Sequence, residues 1–236
     1  MSFIETLKKS LDAMKIPCDE SQLQKMKAHY LLMLRENEKV NLTRITDEEE
    51  AAVKHYADSA AILSVVNLRL GAHIIDIGSG AGFPGIPLKI LRPDIYLCLL
   101  DSTKKKADFL ERCISGLGLQ HCRVINARAE DAARDPLLRE RFDAAAARAV
   151  AKMSVLCELA LPFLKVGGLM LAYKGPGARE KTEEAKNAIK ILGGKEEGVY
   201  EIELEGYSHI IFVVKKVSMT LAKYPRRAGF PGKNPL

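Results

Sequence analysis

Between residues 71 and 217, short apolar runs alternate with stretches of helical spacing, and that alternation is the strongest constraint on how the chain can fold. The apolar runs predict strands near 73–77, 95–100, 122–126, 142–147 and 168–173. The segments between them predict helices near 85–91, 103–117, 130–140, 152–162 and 177–192. A strand–helix repeat of this kind implies a parallel sheet covered on both faces. Two further extended runs, "GVYEIEL" and "SHIIFVVKK", follow with only "EGY" between them. Both are rich in β-branched and aromatic residues, and the short joint predicts an antiparallel hairpin at the sheet edge. The expected fold class is therefore α/β, a mostly parallel seven-stranded sheet ending in an antiparallel hairpin.

Residues 1–70 follow a different pattern. "FIETLKKSLDAM" places apolar residues at positions 3, 4, 7, 11 and 14, which is helical spacing. "DESQLQKMKAHYLLMLREN" continues the pattern beyond the breaker Pro17. "DEEEAAVKHYADSAAILSVV" opens with Asp47 and Glu50 in the arrangement of a capping box. Three regions are expected: a helical extension over 1–70, the sheet domain over 71–217 and a basic tail over 218–236.

The tail stands out by charge. The chain of 236 residues has a net charge of +6, and residues 215–236 hold six basic residues and no acid. The remainder is neutral, so the whole positive excess lies at one end. A basic segment on a neutral body suggests a polyanionic partner. The five cysteines are scattered, with no C-x-x-C pair, which argues against a disulfide framework or a zinc knuckle. No metal is expected. No apolar run reaches the roughly 18 residues of a membrane span, and the amphipathic start lacks a signal peptide's apolar stretch. A cytoplasmic chain without a membrane partner is expected, and a monomer.

The first predicted strand runs into "DIGSGAGFPGIPL", with Gly78, Gly80, Gly82 and Gly85 within eight residues. Bare backbone at the carboxyl end of the first strand is where open α/β sheets bind nucleotide-like ligands. Gly80 to Gly85 formally matches the dinucleotide pattern G-x-G-x-x-G, which is weak alone. A pyrophosphate wants N–H donors, and Pro84 has none. Asp76 would also repel it. An acid followed by alternating glycines instead suits a ligand with a cationic end. S-adenosylmethionine carries an ammonium and a sulfonium and no phosphate, so Asp76 favours it.

Asp101 closes the second strand, 23 residues beyond Gly78, near the spacing expected of an acid that bonds ribose hydroxyls. Ala129 and Glu130 follow the third strand and would reach the adenine edge. Arg148 ends the fourth strand, facing the same cleft. No Asn/Asp-Pro-Pro-aromatic turn and no cysteine beside a proline stands there, as adenine-amino or pyrimidine-carbon methylation would require. Cys157 is assigned to the core. A nucleophile with a free lone pair, such as guanine N7, needs no base, only alignment and exclusion of water.

The loop "DIGSGAGFPGIPL", the upstream "NLTRI" and "HYADS", and the terminal "YPRRAGFPGKNPL" together resemble the bacterial 16S rRNA small-subunit methyltransferase G family, also known as glucose-inhibited division protein B. The resemblance runs almost end to end. It implies a class I S-adenosylmethionine-dependent methyltransferase with a Rossmann-like sheet and a helical amino-terminal extension, acting on N7 of a guanine in 16S rRNA or the 30S subunit. It also implies that Gly78, Phe83, Ala129, Glu130 and Arg148 line the cofactor site, beside the turn Asp101, Ser102, Thr103.

On that resemblance Lys223, Arg226, Arg227 and Lys233 are expected at RNA phosphates, with Tyr224 and Phe230 either stacking on bases or packing the tail back onto the domain. Arg148 is expected to bond the guanine or a nearby phosphate, with a structural salt bridge as the alternative, and Arg148→Ala is expected to lower methyl transfer far more than stability. Asn41, Thr43 and His55 are open between substrate-side roles and helix capping. The competing reading is a methyltransferase of a small molecule or protein, for which a basic tail has no use.

Overall fold

The computed structural model describes residues 1–148, 150–175 and 185–236. The amino-terminal region is helical: α1 (Phe3–Ala13), α2 (Glu20–Val40), α3 (Glu48–Ala51), a π-helical segment Ala52–Ala57, α4 (Asp58–Ala60) and α5 (Ile62–Val65). Then follow β1 (His73–Ile77), α6 (Gly85–Leu91), β2 (Tyr96–Asp101), α7 (Lys104–Gly116), β3 (Cys122–Asn126), α8 (Ala129–Ala132), β4 (Phe142–Arg148), α9 (Met153–Ala160) and β5 (Leu164–Lys174). The chain closes with α10 (Lys186–Ile191), β6 (Gly194–Leu204), β7 (Tyr207–Lys216) and the short α11 (Phe230–Lys233).

The seven strands form one sheet in the order β3-β2-β1-β4-β5-β7-β6. The first five are parallel, and β7 pairs antiparallel with both β5 and β6. The hairpin turns through Glu205 and Gly206, both at positive φ (44° and 81°), the geometry that a two-residue connection matched to strand twist demands. Strand alternation divides the core. Ile74, Leu97, Leu99, Ala144 and Ala146 face the amino-terminal helices, with Phe3, Leu7, Met26, Tyr30 and Tyr56. Ile75, Cys98, Leu100, Ala145 and Ala147 face α9 and α10, with Cys157 buried among them. Residues 1–70 therefore share a core with one face of the sheet.

Local signals explain most element ends. Ser2 and Asp19 cap α1 and α2, each in a reciprocal box with Glu5 and Gln22. Asp47 caps α3 through the Glu50 N–H, but the Glu50 carboxylate bonds Lys54 Nζ, so the expected box is only half formed. Asn41 ends α2 as its cap, in the left-handed region at φ 52°.

Three expectations fail. The helix expected over 130–140 is only Ala129–Ala132, and Pro136, which lacks an N–H, cannot donate back to the Ala132 carbonyl to continue it. The helix expected over 177–192 is Lys186–Ile191, and residues 176–184 lie outside the described residues. The third amino-terminal pattern passes through a π segment that periodicity did not indicate.

Candidate functional site

The glycine stretch connects β1 to α6. The Gly78 and Ser79 N–H groups both donate to the Leu100 carbonyl, Gly80 N donates to Asp101 Oδ2 at 2.9 Å, and Gly85 N donates to Asp76 Oδ2 at 2.9 Å. The glycines serve two purposes. A Cβ on Gly85 would stand 2.7 Å from both Asp76 Oδ2 and Leu99 Cδ2, so the protein's own interior excludes it. Gly78 is exposed, has φ +70°, and faces only Val150, while a Cβ on Gly80 would meet nothing nearer than 3.8 Å. Bare main chain is therefore offered outward at Gly78 and Gly80, beside the carboxyl ends of β1 and β2.

Asp76 does not have the exposed carboxylate expected of it. It is fully buried beneath the loop, and its Oδ1 has no hydrogen-bond partner. Burial pushes its pKa up to about 7, against the Gly85 and Ser79 hydrogen bonds that favour the anion. In this arrangement it fastens the loop, through the Gly85 N–H on Oδ2.

Asp101 ends β2 beside the loop and is 6% exposed. Its Oδ2 holds Gly80, its Oδ1 accepts from Thr103 N at 2.8 Å, and its carbonyl accepts from Asn126 Nδ2 at 2.9 Å. Each carboxylate oxygen thus accepts from one backbone N–H and keeps a further lone pair for a ligand hydroxyl. Ser102 and Thr103 are exposed at the head of α7. These acceptor positions beside bare backbone fit the hydroxyl donors of an uncharged diol such as a nucleoside ribose.

Ala129 and Glu130 begin α8, with Ala129 half-buried. The Glu130 carboxylate departs from expectation: it is buried, and its Oε1 accepts from Gly229 N at 2.8 Å. This bond fastens the tail to the head of α8.

Arg148 leaves β4 and enters a polar cluster built by the π segment. Its Nη1 donates to the Lys54 carbonyl and to Asp58 Oδ2, each at 3.0 Å. Its Nη2 lies 3.1 Å from His55 Nδ1. Arginine has no acceptor, so His55 Nδ1 must accept; the ring proton is then on Nε2 and is donated to Thr43 Oγ1 at 2.8 Å. Burial, reinforced by the Arg148 charge, lowers the His55 pKa to about 3, so this imidazole is neutral. His209 Nδ1 lies 2.8 Å from the other Asp58 oxygen, and both residues are buried. Phe83 is the link to the loop: His55 stacks on it at 4.6 Å, and the Arg148 guanidinium sits 4.9 Å above it. Arg148 is thus next to the cleft but bound up in an ion pair, the structural salt bridge that was the alternative for this residue. His55 and Thr43 belong to that cluster.

The tail folds back on the sheet domain. Arg226 is not free for phosphate: it grips the buried Glu158 through Nε and Nη2, and its backbone N–H donates to Glu158 Oε1 at 2.7 Å. Arg139 and Arg134 hold the carbonyls of Thr220, Tyr224 and Pro225. Tyr224 is buried in the core beneath α9. Lys223, Arg227 and Lys233 are exposed, and Phe230 packs under the Arg226 and Arg227 guanidiniums.

Sequence reasoning missed Asp58, Glu158 and His209. One signal was present: acids inside otherwise apolar helical patterns, "YADSAAIL" and "VLCELAL", mark buried carboxylates that must find partners. Among the described residues no helix is long and apolar enough to cross a membrane.

Comparison with known proteins agrees with this fold. In fold, the chain is similar to a SAM-dependent methyltransferase from Aquifex aeolicus (TM-score 0.55, 16% identity, 74% of this chain and 97% of that one). It is also similar to MtNAS, solved in complex with MTA and tNA (TM-score 0.57, 15% identity, 82% and 73%). In sequence it is 46% identical over 234 residues to the ribosomal RNA small subunit methyltransferase G of Pelotomaculum thermopropionicum, covering 98% of each chain. It is 44% identical to that of Clostridium beijerinckii, covering 100% of each. The family model described as rRNA small subunit methyltransferase G matches residues 22–211. The chain belongs to the rRNA small subunit methyltransferase G family.

Proposed function

We propose that this chain transfers the methyl group of S-adenosylmethionine to N7 of one guanine in 16S rRNA, with the 30S subunit or its RNA as partner. The observation that carries the reading is the cleft where Gly78, Gly80 and Asp101 meet at the carboxyl ends of β1 and β2, in a chain of this family. S-adenosylmethionine, when bound, supplies a methyl group made electrophilic by its sulfonium.

The chain's own residues position and shield. Asp101 accepts hydroxyls of a ribose, and Gly78 and Gly80 admit the donor against the main chain. Asp76 acts one step removed, by fixing Gly85 and hence the loop. Phe83, buried between His55 and Tyr56 with the Arg148 guanidinium over its ring, anchors the loop from the core side. Guanine N7 carries its lone pair already, so no residue is asked to remove a proton; alignment and water exclusion supply the rate. Lys223, Arg227 and Lys233 are the tail cations left to meet phosphate.

Transfer of radiolabelled methyl to 30S subunits lacking the modification, followed by mapping of the labelled nucleotide, tests the reading. A single labelled guanine is expected. Asp101→Ala should weaken cofactor binding by about tenfold or more in calorimetry, since a hydrogen bond to a charged group contributes roughly 1.5–3 kcal/mol. No label in RNA, or full cofactor affinity in D101A, would overturn it.

A further inference from the structure

At the opposite end of the sheet from the glycine loop, three rings line up across three strands. His73 opens β1, and Tyr96 opens β2 as its partner in register. His121 immediately precedes β3, and its carbonyl accepts from Leu97 N at 2.9 Å. The His73 and Tyr96 rings stack with centroids 4.6 Å apart and 5° between planes. The Tyr96 and His121 rings are 4.8 Å apart at 49°. All three side chains are exposed, Tyr96 by 43%.

The rings border a groove of about 560 Å³ that Arg123, Arg141 and Lys165 also line. Asp143 is the neighbouring acid, and it is already engaged: it accepts from Lys165 Nζ at 3.2 Å, Arg69 Nη2 at 2.9 Å and His73 N at 2.8 Å. Arg123 and Arg141 have no carboxylate partner among the described residues. Desolvation, and after it the Lys165 charge, lowers the His73 pKa below its ordinary 6.5, so at neutral pH it presents an uncharged ring. An exposed aromatic row beside two uncompensated guanidiniums contributes little to the core. Its chemistry matches unpaired bases joined by phosphates: flat faces for stacking, and fixed cations at the rim.

We propose that this groove is a second RNA contact, in which bases of a single-stranded segment stack on Tyr96 and its flanking histidines while Arg123 and Arg141 meet the phosphates. The proposal rests on the reading of RNA as substrate. Because β1 has five residues at about 3.3 Å each, the groove lies roughly 16 Å from the cleft, and it acts on RNA affinity without touching the reacting atoms.

The test uses the full chain and a fluorescein-labelled single-stranded oligoribonucleotide, followed by anisotropy at low salt. Tyr96→Ala should weaken binding about tenfold, and Tyr96→Phe, which keeps the ring, should stay within about twofold. Arg123→Glu should also weaken binding and flatten its salt dependence. Cofactor affinity should be unchanged in all three, which certifies the fold. On 30S subunits, Y96A should raise KM and leave kcat intact. Wild-type RNA affinity in both Y96A and R123E would overturn the proposal, as would no RNA binding by the wild type. Loss of 30S affinity with RNA affinity intact would overturn it in favour of a ribosomal protein contact. Anisotropy requires no methyl transfer, so a failure of the methylation reading registers separately.

Discussion

The glycine loop and the carboxy-terminal tail carry the same kind of sequence signal, a short motif dense in unusual residues, and they use it in different ways. In the loop, the backbone stays open at Gly78 and Gly80 while the acid beneath them, Asp76, is sealed in. In the tail the motif divides between neighbours: Arg226 turns inward onto Glu158, and Arg227 turns out to solvent. One residue holds and the next presents. Residue type limits the chemistry open to each position, but partners 68 or 99 positions away decide which task is performed.

Removing a holding residue should therefore cost far more stability than removing a presenting one. Arg226→Ala strands the buried Glu158, and Arg148→Ala leaves the buried Asp58 with His209 alone. Each should lower the unfolding free energy by about 3 kcal/mol, because a buried carboxylate loses its guanidinium partner. Urea denaturation measures both. A loss below about 0.5 kcal/mol in either would break the distinction between holding and presenting. For Arg148 this replaces the simpler expectation of lost activity with little lost stability.

The next effect separates two buried groups by pH. His29 is wholly buried and its pKa is lowered to about 4, chiefly by desolvation. Unfolded, it titrates near 6.5, so the unfolded state binds the extra proton and stability falls as pH drops below about 6.5. Asp76 runs the other way: its folded pKa near 7 exceeds its unfolded 3.8, so its contribution falls as pH rises through that window. Between pH 7 and pH 5 the wild type should lose about 2 kcal/mol more than His29→Gln and gain about 2 kcal/mol relative to Asp76→Asn. Parallel pH profiles for all three proteins would show that neither group is shifted.

The smallest change is expected at the presenting position. Arg227→Ala should alter stability by no more than about 0.5 kcal/mol, yet lower the slope of RNA affinity against salt by about one unit. An unchanged slope would place Arg227 off the RNA and sharpen the division by leaving Lys223 and Lys233 as the tail's contacts.

Much of this architecture was legible because it follows from local rules. Strand period, the glycine density after Asp76, the spacing to Asp101 and the short hairpin joint all concern residues near one another in the chain. What escaped depends on distance. Nothing near Glu130 announces that its carboxylate will meet Gly229, and nothing near Arg148 announces Asp58 and His209. The π segment escaped for a related reason. It brings His55 and Asp58 to the end of β4, and such a widened turn is held by its tertiary contacts rather than by propensity.

The way the tail is fastened has a consequence for anyone shortening the protein. Arg226 and Gly229 satisfy carboxylates on α9 and α8, and Tyr224 fills space beneath the sheet. A stop codon near residue 217 would unroof the hydrophobic interior and leave two acids bereft. Such a truncation would first be noticed as insolubility or rapid proteolysis in the cell, and only a substitution on the outward face can ask what the tail does for RNA.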